Sequence, residues 1–450
     1  MKFCTTTLGC KVNQVETQAV ESVLISHGNE LVKVGDGCDV CVINTCAVTA
    51  ESVRKSRQAV RRMKKLEPNA LVAVCGCLSQ LEEDDIKALE ADIVGGSGDR
   101  IGFALEIEKQ YAKRQKSGAD SNEAIKPECG GSKVFSSARE STIDEPLTRD
   151  VFEELPLASS SGRTRAFLKV EDGCDNYCAY CIIPYARGAV RSLPIERAVN
   201  QATSLGEQGF KEIVITGIEI SSYGKDLDAY VTIADLIQAI SSAVPEVRLR
   251  IGSLDPGIFT ESFCNFLADI PNLCDHFHMS LQSGCDFTLE RMGRKYDAQS
   301  VLNAAKMLRD LFPNCGITAD LIVGFPGETD SEFLQTLELI KKVNFSDMHI
   351  FPFSRRPGTR ANDMPDQTTK AVRAERARTA KDISKAMTDE FLNKQIGKTL
   401  EVLIERDHEG CRTGHSGNYI EVAVQNEVPK NSLIEVRILR QENEKLIGEI

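Results

Sequence analysis

The sequence predicts an α/β protein in three parts: a doubly wound α/β domain, an incomplete (β/α)6 barrel and a small antiparallel β-barrel. Apolar runs of strand length alternate with helical patterns over the first hundred residues. Six further strand candidates then recur at about 30 to 45 residues, the size of one βα unit or slightly more. The last sixty or so residues hold short strand-like runs with turns between them. At 450 residues the chain can hold two or three domains. Its 42% hydrophobic and 27% charged composition is that of a globular protein. No apolar run approaches the roughly 20 residues that span a bilayer, and the N-terminus lacks the apolar core of a signal peptide. The chain therefore reads as cytoplasmic, with no membrane partner. A net charge of −12 argues against unspecific nucleic-acid binding.

In chain order, 2–8, 40–44 and 70–74 read as buried parallel strands, and 13–26, 50–65 and 79–89 as helices. Cys10, Cys46 and Cys77 each follow a strand closely, at the carboxyl ends where such sheets collect ligands. Neighbouring strands lie roughly 4.8 Å apart, so three loops can bring three sulfurs to one cluster. Cys4, Cys38, Cys41 and Cys75 read as core residues. A redox pair at Cys38-x-x-Cys41 is disfavoured because the motif starts a strand instead of opening a helix. Geometry prefers Cys77 over Cys75 only narrowly. From about 111 to 162 the pattern is lost to Lys, Ser, Glu, Gly and Pro, which predicts a flexible linker over 113–162. Cys129 within it has no partner pattern.

The centre of the chain is organised by Cys174, Cys178 and Cys181, at C-x-x-x-C-x-x-C spacing after an apolar strand. Three thiolates can hold three irons of a four-iron cluster, leaving one iron open to a substrate or cofactor. Structural zinc sites close with a fourth Cys or His at short spacing, and no His lies in this loop. A disulfide framework does not suit a chain of this length in a reducing compartment. The strands expected at 166–170, 212–216, 247–251, 276–281, 317–323 and 347–352 suggest a barrel open at the side, with the cysteines on its carboxyl face.

This triad resembles the signature of radical S-adenosylmethionine enzymes. The resemblance implies that the open iron chelates the amino and carboxylate groups of S-adenosylmethionine, and that one-electron reduction releases a deoxyadenosyl radical. It further implies cofactor contacts at Gly217 and Glu219 in Thr216-Gly-Ile-Glu219, at Ser280 and Gln282 in Ser280-Leu-Gln282-Ser-Gly, and at Asp320 before Gly-Phe-Pro-Gly-Glu328. Thr7-Leu-Gly-Cys10-Lys-Val-Asn13, Asn44-Thr-Cys46-Ala-Val-Thr49 and Gly76-Cys77-Leu-Ser-Gln80 resemble the N-terminal domain of methylthiotransferases. That likeness implies a second, auxiliary four-iron cluster on Cys10, Cys46 and Cys77.

At the C-terminus 398–405, 419–424, 433–439 and 445–450 read as strands. Gly397-Lys-Thr-Leu-Glu-Val-Leu-Ile-Glu405 and Gly414-His-Ser-Gly-Asn-Tyr419 resemble the TRAM domain, which implies RNA contact through residues such as Arg412, His415 and Tyr419. Between 354 and 381 eight basic residues face three acidic ones. Such a run is usually a solvated helix face, and in an acidic chain it is also where a phosphate backbone would lie.

The resulting expectation is a methylthiotransferase N-terminal domain over 1–112, a radical core over 163–387 and a TRAM domain over 388–450. Ile183-Pro-Tyr-Ala-Arg-Gly-Ala-Val-Arg-Ser192, Ser253-Leu-Asp-Pro256 and Ser354-Arg-Arg-Pro-Gly-Thr359 resemble the branch acting on threonylcarbamoyladenosine beside the tRNA anticodon. The likeness implies two 4Fe-4S clusters, S-adenosylmethionine, a one-electron donor such as a flavodoxin or ferredoxin, and methylthiolation at carbon 2. Isopentenyladenosine in tRNA and an aspartate of a ribosomal protein are the rival substrates. An iron–sulfur RNA sensor without catalysis is the rival of another class, but it would have no use for an open iron.

Overall fold

The computed structural model describes residues 1–119, 140–157, 164–228, 230–408, 411–425 and 427–450. These fall into two compact units, Met1–Ala158 with Ile182–Ala189, and Ser159–Cys181 with Val190–Ile450.

The first unit runs β1 (Lys2–Thr7), α1 (Lys11–Ser26), β2 (Glu30–Leu31), β3 (Val40–Thr45), α2 (Ala50–Leu66), β4 (Leu71–Gly76), α3 (Cys77–Leu81), α4 (Glu83–Ala88), β5 (Ile93–Gly95), α5 (Arg100–Ala119) and β6 (Glu140–Thr142). All strands are parallel, in the order β2-β1-β3-β4-β5-β6. Every residue of β3 and β4 is buried, as expected for central parallel strands covered on both faces. The order reverses between β1 and β3, which makes that crevice the topological switch point of the sheet.

Two expectations are corrected here. The helix foreseen over 79–89 breaks at Glu82, whose φ of −133° leaves the helical region. Its side chain pairs with Arg57 at 2.8 Å, and Glu83, Asp84 and Asp85 then start a new helix, where acidic residues favour the N-terminal dipole. The linker foreseen over 113–162 is partly structured. Helix α5 runs to Ala119, β6 pairs with β5, and Pro146–Thr148 forms a 3-10 turn. The strand escapes a hydropathy reading because its backbone hydrogen bonds to β5 fix it at the sheet edge, not an apolar run. Residues 120–139, with Cys129, lie outside the described residues.

The second unit begins with β7 (Arg165–Lys169) and β8 (Glu171–Asp172). The next helix, α6 (Ile183–Arg187), groups with the first unit. Then follow β9 (Arg191–Ser192), α7 (Ile195–Glu207), β10 (Glu212–Thr216), α8 (Ile233–Ala243), β11 (Arg248–Ile251), β12 (Ser253–Leu254), α9 (Glu261–Ala268), β13 (His276–Gln282), α10 (Asp286–Met292), α11 (Ala298–Leu311), β14 (Gly316–Val323), α12 (Asp330–Val343) and β15 (Asp347–Pro352). Parallel sheets β7-β10-β11 and β12-β13-β14-β15 are linked by a bridge between Leu249 and Leu273, giving the open barrel. Burial alternates along β13 and β14: Phe277, Met279, Leu281, Ile317, Ala319 and Leu321 are buried, while His278, Ser280, Gln282, Thr318 and Asp320 between them are half-buried.

Helices α13 (Arg360–Asp363) and α14 (Lys370–Asn393) lead to β16 (Thr399–His408), β17 (Cys411–Ser416), β18 (Glu421–Val424), β19 (Leu433–Glu442) and β20 (Lys445–Glu449). These close a barrel β16-β17-β18-β20-β19 around Val402, Ile404, Val422, Val436 and Leu446. Strand β17, Cys-Arg-Thr-Gly-His-Ser, adds to the four foreseen, and the β18–β20 pair is parallel while the others are antiparallel. Gly414 permits the crossing, since a Cβ there would overlap the Leu403 carbonyl.

This small barrel is seated on the amino-terminal end of the larger one. Arg250 donates to the carbonyls of Gly417 at 2.7 Å and Ser416 at 3.1 Å, and Arg165 pairs with Glu405 at 3.0 Å. Fully buried Glu212 gathers Arg248 at 2.6 Å and Arg250 at 2.8 Å, with Arg165 at 3.9 Å. Tyr419 stacks on His276 and His415 with Arg250 over its ring. Tyr419 and His415, foreseen as RNA contacts, therefore join the two barrels. Arg412 is engaged by the Val428 carbonyl and Asp407.

Burial alone would raise the Glu212 carboxyl, but the guanidiniums, Arg250 foremost, hold it down at about 2. An unfolded glutamate titrates at about 4.3. The stability this carboxylate confers is thus present above about pH 4.3 and lost as the pH falls toward 2. Glu212→Gln is expected to cost about 3 to 5 kcal/mol at pH 7 by leaving buried guanidiniums uncompensated. It should also flatten the acid-side dependence of the urea-unfolding midpoint. An unchanged midpoint with an unchanged pH slope would show that the network does not hold the barrel base.

Candidate active site

In the first unit three loops at the carboxyl ends of β1, β3 and β4 carry Cys10, Cys46 and Cys77. Cys46 and Cys77 are buried and Cys10 is exposed at the mouth. Asn13, on the first turn of α1, ties the loops together: its amide donates to the Leu8 carbonyl at 2.8 Å and the Thr45 carbonyl at 3.0 Å. Cys46 is fixed by Ser56, whose hydroxyl accepts its N–H at 3.2 Å and donates to its carbonyl at 3.3 Å. Gly76 has a φ of +107°, and a Cβ there would overlap the Asn44 side chain and the Thr45 carbonyl. Only glycine lets β4 turn so sharply into Cys77. Cys75 instead packs in the hydrophobic cluster with Phe3, Val42 and Phe103.

Arg187, on α6, is completely buried among these residues. Its Nε donates to the Cys77 sulfur at 3.3 Å, and its other nitrogens to Glu16 at 2.7 Å and Asn13 at 2.9 Å. Burial pushes the Cys77 thiol up and Arg187 pulls it back; Cys46 is likewise raised by burial. A buried guanidinium donating to sulfur is matched to thiolates, so the donor set fits an anionic iron–sulfur cluster. Arg187 lies in the quoted Ile-Pro-Tyr-Ala-Arg run, but nothing in that run marked it as a sulfur partner.

In the second unit the loop after β8 carries Cys174, Cys178 and Cys181, the first two buried. The loop starts from the β8–β9 ribbon, where buried Asp172 pairs with Lys169 at 2.7 Å. It is pinned by the Ala179 N–H on the Met292 carbonyl at 2.8 Å. Burial raises the Cys174 thiol, and its sulfur senses those of Cys181 and Cys178. Arg294 donates to the Cys178 sulfur at 3.3 Å and pairs with Asp255 at 2.7 Å.

A cavity of about 310 Å³ opens beside Cys178, lined among others by Asn176, Glu219, Ser221, Asp255 and Arg294. Glu219 is buried, its Oε2 accepts from Asn176 at 3.5 Å, and its Oε1 has no hydrogen-bond partner among the described residues. Burial raises this carboxyl, Asp255 adds to the rise and Arg294 opposes it. An unpartnered buried carboxylate oxygen beside a thiol triad fits the ammonium of S-adenosylmethionine. Arg294 and Asp255 were not among the foreseen site residues; Asp255 stands in the Ser-Leu-Asp-Pro run, and Arg294 had no signal.

The other foreseen contacts sort differently. The space at Gly217 is filled by Glu171, whose Oε2 would lie 2.6 Å from an added Cβ and accepts the Ile218 and Glu219 N–H groups at 2.8 and 2.7 Å. Gly217 thus leaves the space that the Glu171 carboxylate fills. Ser280 offers its carbonyl to Arg294 at 3.2 Å and to the Tyr296 hydroxyl at 2.8 Å. Gln282 has a φ of +61° at a bulge against β14. Asp320 is held between His278 at 3.3 Å and His349 at 3.2 Å, and is not among the residues lining the cavity at Cys178. Burial would raise its carboxyl, but the two imidazoles outweigh that and hold it below the usual range.

The basic strip also divides. Arg376 is buried, paired with Glu328 and Asp330 at 2.7 Å each, and Arg373 donates to the Phe353 carbonyl at 2.7 Å. These two hold α14 in place. Arg355, Arg360, Lys370, Arg378 and Lys381 remain exposed.

Comparison with known proteins agrees with this geometry. Residues 168–340 match the Radical SAM superfamily, and residues 2–96 match Uncharacterized protein family UPF0004. A Bacillus subtilis protein named threonylcarbamoyladenosine tRNA methylthiotransferase MtaB is 35% identical over 96% of this chain and 93% of its own. Its Thermotoga maritima namesake is 34% identical over 97% and 94%. A Pelotomaculum thermopropionicum protein named tRNA-2-methylthio-N(6)-dimethylallyladenosine synthase is 31% identical over 90% and 86%. Among solved structures, the radical S-adenosylmethionine methyltransferase TsrM from Kitasatospora setae, with cobalamin and a 4Fe-4S cluster bound, has a TM-score of 0.56 at 14% identity, covering 92% of this chain and 77% of that one. That likeness concerns the fold alone. With two thiol triads, each with an arginine N–H on one sulfur, and relatives of this identity over nearly its whole length, the chain belongs to the radical S-adenosylmethionine methylthiotransferases.

Proposed function

We propose that this chain replaces the hydrogen on carbon 2 of threonylcarbamoyladenosine, beside the anticodon of a tRNA, with a methylthio group. The observation that carries the reading is the pair of separate three-cysteine sites, each with an arginine N–H on one sulfur. An aryl C–H bond offers no acid–base route, so two 4Fe-4S clusters and S-adenosylmethionine would supply the radical and sulfur chemistry. Cys174, Cys178 and Cys181 would hold the radical cluster, and Cys10, Cys46 and Cys77 the auxiliary one.

The protein's own groups bind and orient. The Glu219 carboxylate accepts the ammonium of S-adenosylmethionine in the cavity at Cys178. Arg294, fixed by Asp255, holds the sulfur side of that cavity positive, and Arg187 does the same at Cys77. His278, Asp320 and His349 present a fixed carboxylate and two imidazoles on adjoining strands, suited to a polar purine substituent. The exposed Arg355, Arg360, Lys370, Arg378 and Lys381 are assigned to tRNA phosphates. A flavodoxin or ferredoxin in the cytoplasm delivers the electron. Residues 1–112, 163–387 and 388–450 are the auxiliary-cluster, radical and RNA-binding parts. Relatives named for threonylcarbamoyladenosine are 32 to 35% identical over 92 to 98% of the chain, against 31% over 89 to 90% for those named for dimethylallyladenosine, which favours the first substrate.

Replacing Cys10, Cys46 and Cys77 together by Ala should lower reconstituted iron from about eight to about four per chain. The variant should still release deoxyadenosine under reduction yet form no methylthio product. Methylthiolated tRNA from it would remove the auxiliary site from the reaction. Glu219→Gln should raise the Kd for S-adenosylmethionine about tenfold or more at unchanged iron content, as expected for losing a charged hydrogen bond. Titration calorimetry showing an unaltered Kd would remove Glu219 from the cofactor site.

A further inference from the structure

A third group of cysteines stands apart from both triads. The sulfurs of Cys4 and Cys38 are 3.5 Å apart, those of Cys4 and Cys41 3.5 Å, and those of Cys38 and Cys41 3.4 Å. None forms a disulfide. Cys4 on β1 and Cys41 on β3 are register partners in the parallel sheet, so their side chains leave it on one face. That face is opposite the one where Phe3, Val40 and Val42 join the hydrophobic cluster. Cys38 comes from the loop before β3 and is half-exposed, while the other two are buried.

The loop is shaped for this. Glu67, at the end of α2 and 7% exposed, accepts the N–H groups of Gly35 at 3.0 Å, Gly37 at 3.3 Å and Cys38 at 3.4 Å. Gly35 and Gly37 have φ values of +96° and +82°, so the loop curls around the carboxylate. The outcome is a fixed triangle of sulfurs with a buried carboxylate behind it. The site lies near the amino ends of β1 and β3. At about 3.3 Å per residue, Cys41 is separated from Cys46, beyond the far end of β3, by roughly 16 Å, so the two groups are distinct.

Three thiols in mutual contact gain little as core residues, because S–H is a weak donor and sulfur a weak acceptor. As thiolates they form one face of a tetrahedron. A zinc ion about 2.3 Å from each sulfur would sit roughly 1.1 Å out of their plane, with the fourth position toward solvent beside Cys38. The soft donor set selects zinc over hard divalent cations, and the Glu67 charge adds to the attraction. We propose that Cys4, Cys38 and Cys41 form a structural zinc site that clamps the 35–38 loop to β1 and β3. Binding releases the thiol protons to solvent, involves no change of oxidation state, and leaves Glu67 as the partner that fixes the loop from outside the ligand set.

The test uses the full chain, purified without oxygen and with both iron–sulfur clusters in place. After incubation with one equivalent of zinc chloride and gel filtration, elemental analysis should find about one zinc per chain. Zinc K-edge absorption should report three sulfurs at about 2.3 Å. Cys38→Ser should lose at least tenfold in retained zinc at unchanged iron content. A second reading needs no variant: zinc should protect Cys38 from iodoacetamide, and a chelator should restore alkylation. Zinc absent from the wild type, zinc retained in Cys38→Ser, alkylation indifferent to zinc, or a disulfide among these three cysteines in the peptide masses would each overturn the proposal.

Discussion

A guanidinium N–H resting on a buried cysteine sulfur is the interaction on which both candidate cluster sites depend. Thiols in an apolar interior resist ionisation, and a cluster needs them ionised. Burial pushes the Cys77 thiol up and Arg187 opposes that rise from 3.3 Å, while Arg294 places a guanidinium N–H on the Cys178 sulfur at the same distance. Each arginine is held in turn by a carboxylate, Glu16 or Asp255, so its position is fixed before any cluster is present. The same constraint explains the backbone around the sites. Asn13 and Gly76 hold the loops of the first triad, and the Ala179–Met292 hydrogen bond pins the loop of the second.

A different cluster of arginines governs the opposite end of the larger barrel. Glu212 balances Arg248 and Arg250 in the barrel floor, and the same guanidiniums reach out to backbone carbonyls of the small C-terminal barrel. One network therefore closes the floor and seats the small C-terminal barrel on it. Tyr419, stacked between His276 and His415, is the aromatic part of that joint. The placement leaves Arg355, Arg360, Lys370, Arg378 and Lys381, around α14, exposed.

What could be read in advance and what could not follow from the range of each interaction. The longer parallel strands were legible because burial on one or two faces writes itself into local hydropathy, as in Val40–Thr45 and Gly316–Val323, while the two- and three-residue strands such as Glu30–Leu31, Ile93–Gly95 and Ser253–Leu254 were too short to leave such a mark. The triads were legible because cysteine at a strand end has chemical meaning whatever its neighbours do. Arg294 and Asp255 were not, since their role exists only once α10 and the strand after β11 bring them to Cys178. Strand β6 and the break at Glu82 rest on pairing with β5 and on Arg57, partners outside any local window. Arg376 and Tyr419 show the converse: a basic run and a family motif suggested a surface role, but tertiary contacts bury Arg376 and engage the half-exposed ring of Tyr419 at the joint between the barrels. Cys4, Cys38 and Cys41 looked like ordinary core residues because only the register of β1 against β3 sets the first beside the third.

The claim that this chain methylthiolates threonylcarbamoyladenosine is tested most directly by anaerobic turnover. Cluster-loaded enzyme would be incubated with S-adenosylmethionine, a one-electron reductant and an anticodon stem-loop carrying that nucleoside, and the digested nucleosides read by mass spectrometry. The account predicts that the nucleoside gains one methylthio group in place of hydrogen, with deoxyadenosine formed alongside. Conversion of an isopentenyladenosine stem-loop while the threonylcarbamoyladenosine one stays unmodified would contradict it, as would deoxyadenosine release with no sulfur transferred to either.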